Sequence, residues 1–132
     1  MAGSVYPVPF TDITLLISFG RPLRIESLAH FLDEVEIQVM KDIARYGAKS
    51  RIPSGGFDRN TDGFAFSVYS PSELPSQLHV TRDVLKDVVD GVGGIVVGDR
   101  RFNEVFFVIQ TGPDDVFRGY GHFVAQRQGA NS

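Results

Sequence analysis

Two amphipathic helical stretches set among several strand-like ones restrict this chain more than any other feature, because two helices can shield only one face of a sheet. From about Ile25 to Tyr46, Leu28, Leu32, Val35, Val39 and Ile43 recur every three or four residues, one apolar helical stripe closed by Gly47. A second stripe follows Thr81, an N-cap residue type, with Asp83 in the first turn, and carries Val84, Leu85, Val88, Val89, Val92, Ile95 and Val96 up to Gly98. The strand-like segments are Ile13–Phe19, Phe64–Tyr69, Val105–Ile109 and Val116–Gln126, with Lys49–Ile52 as an optional edge strand. Val105–Ile109 is apolar on both faces, which suits a central strand. Ala48–Gly63 otherwise reads as turn chemistry.

The 132 residues amount to one domain. The expectation is a single α+β domain over 1–132, with 1–11 and 127–132 as flexible ends. Two helices cover one face of a four- or five-stranded, mainly antiparallel sheet, in a ferredoxin-like βαββαβ order with an added C-terminal strand.

Composition removes several function classes. There are no cysteines, so disulfide frameworks, thiolate zinc sites and cysteine nucleophiles are excluded. Thirteen Lys and Arg against sixteen Asp and Glu give a net charge of −3, which recruits no nucleic acid, and no RNA-recognition octamer accompanies the sheet aromatics. No apolar run approaches the roughly 18 residues of a membrane span, and the start lacks a basic segment followed by an apolar one. A cytoplasmic protein is the default, or a secreted one if a signal peptide has been removed.

The unshielded sheet face carries the functional expectation. If Ile13, Leu15, Ile17, Phe19, Phe64, Phe66, Val68, Val105, Phe107 and Ile109 point toward the helices, then Thr14, Leu16, Ser18, Ala65, Ser67, Tyr69, Phe106, Val108 and Gln110 point away. Such a mixed apolar and hydroxyl surface calls for a cover. A homo-oligomer closing around an apolar small molecule is one solution. The last strand aligns Arg118, Tyr120 and His122 at period two, about 7 Å between alternate side chains. A cation, a phenol and an imidazole in one row suit cofactor-free acid–base chemistry, such as isomerisation or cyclisation. His122 would shuttle the proton, Tyr120 would donate to a developing oxyanion and Arg118 would anchor an anion. Tyr69, Phe106, Gln110 and Ser67 would line the ligand site. The plainer reading of the row is an edge strand blunted with polar groups, its glycines serving twist or a bulge. The competing function is a non-enzymatic interaction module, an effector or regulatory partner, whose anchors on a protein would be Tyr69, Phe106 and Tyr120.

Other motifs are weaker. Asp58-Arg59-Asn60-Thr61-Asp62-Gly63 opens like a calcium loop, but its twelfth position is Tyr69, and a polar turn accounts for the same residues. The glycines from Gly91 to Gly98 follow a helix rather than a strand and form no nucleotide fingerprint; they let the helix approach a neighbour or break it. His30, His79 and His122 show no ligand spacing, so a metal site would have to be assembled entirely by the fold, and none is expected.

Arg101-Phe102-Asn103-Glu104-Val105-Phe106-Phe107-Val108-Ile109 followed by Gly119-Tyr120-Gly121-His122 resembles a pattern in small uncharacterised proteins of filamentous fungi. The resemblance runs from Thr81 to Val124. It implies a fungal origin and supplies neither a reaction nor a catalytic residue.

Overall fold

The computed structural model describes residues 3–126. In chain order the elements are β1 (Ser4–Pro7), β2 (Ile13–Pro22), α1 (Leu28–Tyr46), β3 (Phe57–Thr61), β4 (Phe64–Tyr69), α2 (Arg82–Gly93), β5 (Asn103–Thr111) and β6 (Val116–Ala125). A short 3₁₀ turn at Ser76–Leu78 precedes α2, and a π-type turn at Gly94–Gly98 ends it. The six strands form one sheet in the order β1-β2-β5-β6-β4-β3, with every neighbouring pair antiparallel. The α+β class stands.

The sheet is wider than the expected four or five strands, and its order differs from a ferredoxin-like one. That topology would set β2 against β4, whereas β5 and β6 lie between them. The two extra strands have local causes. Residues 4–7, expected to be a flexible end, pair with β2 from Ser4↔Ile17 to Pro7↔Thr14. Pro7 is tolerated there because an edge strand leaves one side unpaired. Residues 57–61, read as turn, pair with β4 through a two-residue turn at Asp62 and Gly63, whose φ values of 55° and 85° are those of a twist-matched hairpin. Lys49–Ile52 forms no strand: a single bridge joins Arg51 to Thr81, and the segment is strapped to the α2 entrance by Ile52 N–H to Val80 O at 3.1 Å. The expected flexible end at 127–132 lies outside the described residues.

The core follows the alternation. Ile13, Leu15, Ile17, Phe64, Phe66, Val68, Val105, Phe107 and Ile109 are all buried against the helix layer. A residue outside the sequence stripe centres it: Phe31 of α1 is fully buried, with its ring 5.5 Å from Phe64 and 5.7 Å from Phe123. These three rings join α1 to β4 and β6. On α2, a Cβ at Gly91 would stand 2.9 Å from Val8 Cγ2 and 3.4 Å from Leu15 Cδ1, so this glycine lets the helix settle on β2. Thr81 is the N-cap by position, but its hydroxyl donates to the Asp83 carboxylate rather than to a helix N–H.

Candidate functional site on the open sheet face

Both helices lie on one side of the sheet, so register alone determines what the other side presents. One row across it reads Val5, Leu16, Val108, Tyr120 and Tyr69; the next reads Ser18, Phe106, His122, Ser67 and Asp58. Between the rows lies a depression of about 530 Å³, whose lining includes Val5, Leu16, Phe106, Val108, Tyr69, Tyr120 and His122. None of its lining residues is Asp, Glu, Lys or Arg. Val5 is 67% exposed, Phe106 41% and Tyr120 38%, a concentration of large apolar surface in contact with water.

The aromatic side chains hold one another in place. Tyr69 and Tyr120 meet edge to face with ring centroids 4.4 Å apart. Phe117 stacks with Tyr120 at 6.4 Å, and Phe106 tilts against His122 at 6.3 Å. The backbone beneath is drawn tight at two glycines. A Cβ at Gly121 would collide with Ser67 O and stand 2.8 Å from Phe107 Cζ; one at Gly119 would stand 2.5 Å from Tyr69 O. These glycines therefore serve close packing inside the sheet. The edge-strand reading of β6 is corrected, since β6 is flanked by β5 and β4.

Of the residues expected in the site, Tyr69, Phe106, Tyr120 and His122 come together around the depression. Arg118 does not join them. The β5–β6 register slips between Ile109↔Gly119 and Gln110↔Phe117, so one extra residue bulges out of β6. The slip puts Phe117 on the open face beside Gln110 and sends Arg118 to the helix side. There its Nε donates to Thr111 Oγ1 at 2.7 Å and its guanidinium reaches Gln77 O at 3.1 Å. Strict period-two counting fails at the bulge, and the expected row of three becomes a pair.

Gln110 and Ser67 share the face but stand outside the depression's lining. Ser67 is nearly buried, and its hydroxyl donates to Asp58 Oδ1 at 2.6 Å. Ser67 is paired across strands with His122, so serine, histidine and aspartate lie in one row with the serine in the middle. A nucleophile relay needs the imidazole between the hydroxyl and the carboxylate. Among the described residues no hydrogen bond joins Ser67 to His122, and the row is not such a relay.

Two contributors escaped the sequence reading. Val5 was assigned to a flexible end, although Ser4-Val5-Tyr6 can alternate like any strand. Strict period two would set Phe117 on the face opposite Tyr120, and the signal that bears on it is the Gly119 and Gly121 pair, where the neighbouring strands leave no room for a Cβ. Compared with known proteins, the chain matches no family model, no curated protein and no solved structure.

Proposed function

We propose that this chain is a binding protein that works through its open sheet face. A second copy covers the face, and the depression holds an apolar, ring-bearing small molecule between the two. The observation that carries this reading is the uncharged aromatic depression lying where no helix covers the sheet. Aromatic walls offer flat rings both burial and offset stacking, worth about 0.5–1.5 kcal/mol per pair beyond area alone. Area supports the second copy. Six strands about 4.8 Å apart, over some six residues at about 3.4 Å, span about 600 Å², of the order of the ~800 Å² each partner gives a stable interface. Tyr120 and His122 supply the hydroxyl and imidazole that would orient a ligand's polar end.

The test is titration with a fluorescent apolar probe such as anilinonaphthalene sulfonate. The wild-type protein should show saturable enhancement, and Phe106→Ala should weaken it at least tenfold with the fold intact by circular dichroism. Absent saturation, or a Phe106→Ala variant that binds as well as wild type, ends the reading.

The place of His122 in the lining of the depression, its ring 6.3 Å from that of Phe106, favours a second reading, cofactor-free proton transfer on the same ligand. His122 would then move the proton and Tyr120 would donate to the oxyanion, without the Arg118 anchor. A captured metabolite recovered unchanged after incubation marks a binding protein. One converted by wild type, but neither by His122→Ala nor by Tyr120→Phe, marks an enzyme. If the protein instead docks a different protein, its face stays open in isolation and the probe signal disappears when that partner binds.

A further inference from the structure

We infer that His30, Glu34 and Asp62 form a binding site for a divalent transition cation of the zinc type, at the end of the molecule where α1 meets the β3–β4 turn. Sequence separates these residues, and two elements bring them together. His30 and Glu34 are one helical turn apart on α1, which stacks their side chains on one face. Asp62 occupies the tip of the β3–β4 hairpin, in the left-handed conformation at φ 55° that the two-residue turn requires. One imidazole nitrogen and one oxygen from each carboxylate all lie within 4.8 Å of one another.

The spacing suits a small ion. Zinc bonds of about 2.0–2.2 Å at tetrahedral angles place neighbouring ligand atoms about 3.3–3.5 Å apart. His30 Nε2 already stands 3.2 Å from Glu34 Oε2, so the first two ligands hold close to that bite, with the Asp62 carboxylate within 4.8 Å of both residues' ligand atoms. The other Glu34 oxygen is taken. Arg59, from the neighbouring strand β3, donates to Oε1 at 3.1 Å, which fixes the carboxylate and leaves Oε2 as a single free ligand. That argues against calcium, which gathers six to eight oxygens and favours bidentate carboxylates. One imidazole with two monodentate carboxylates is a donor set for zinc and its neighbours. His30 and Asp62 are both exposed, so the ion has access and the remaining coordination position opens to water. Bound there, it would tie α1 to the hairpin and favour the folded chain over the unfolded one.

The experiment is calorimetric titration of the full chain with ZnCl₂ alone at pH 7.5, with thermal melts at the same zinc concentrations. The expected result is one ion per chain at micromolar affinity, with a rise in Tm on zinc addition. His30→Ala and Asp62→Asn should each weaken binding at least tenfold and remove the Tm rise. Asn keeps the left-handed turn, so that variant tests the charge rather than the fold. His79→Ala and His122→Ala should bind zinc as wild type does, and CaCl₂ should give no saturable heat. Absence of saturable zinc binding would mean that His30 and Glu34 form an ion pair only, and would overturn the proposal. So would zinc binding that survives His30→Ala or is lost in His122→Ala.

Discussion

A single extra residue in β6 decides which chemistry the open face holds. The bulge at Phe117 and Arg118 exchanges a cation for a phenyl ring, so a face expected to grip an anion carries instead a depression lined with aromatic side chains and no arginine. The glycines after the bulge keep β6 close to its neighbours. Gly121→Ala would press a methyl group onto Ser67 O and the Phe107 ring, and overpacking of this kind costs about 1–3 kcal/mol. Urea denaturation should show that loss, whereas Gly112→Ala at the start of the β5–β6 turn, where a Cβ would meet no atom within 4 Å, meets only its φ of 78°. Alternation in β2, β4 and β5 was legible because each is a regular strand: every inward residue from Ile13 to Ile17 and from Val105 to Ile109 was assigned to its correct side. The facing of Arg118 was not legible, because Gly119 and Gly121 permit a bulge but its position is set by hydrogen bonding with β5.

Among the elements, the two helices were the most legible and the two edge strands the least. α1 and α2 announce themselves by period, since a stripe of buried aliphatics has one geometric solution. β1 and β3 are short, rich in Pro and polar residues, and exist because a partner strand offers unpaired backbone groups, which a local window cannot show. The contact that fixes α1 is likewise tertiary: Phe31 wedges between Phe64 and Phe123. Phe31→Ala should cost about 3–5 kcal/mol, read as a lower urea midpoint with an unchanged m-value.

The seam between the helices carries a pH dependence. Burial first, and then the neighbouring Asp90 carboxylate, raise the Glu36 pKa, and Lys86 at 3.9 Å only partly offsets this. A carboxyl raised in the folded state draws stability away as pH climbs from the ordinary carboxylate range through its higher folded value. Glu36→Gln should therefore stabilise at pH 7, by no more than about 0.5 kcal/mol because the group faces solvent, and the gain should fade below about pH 4. Thermal melts at the two pH values check the sign. A Gln variant less stable at neutral pH would show that the Lys86 pair outweighs the repulsion.

At the scale of the whole molecule, the layers leave the chain half-finished. One sheet face is packed by two helices, and the other exposes Val5, Phe106 and Tyr120 around a depression. No helix among the described residues is long and apolar enough to cross a membrane. A second copy would bury the exposed aromatics symmetrically and turn two open depressions into an enclosed cavity. Light scattering on the purified chain at two concentrations about tenfold apart tests this most directly. The account predicts the dimer mass at both concentrations for wild type, and the monomer mass for Phe106→Glu, which would place a charge at the centre of the buried face. A wild-type chain that keeps the monomer mass at the higher concentration would contradict it.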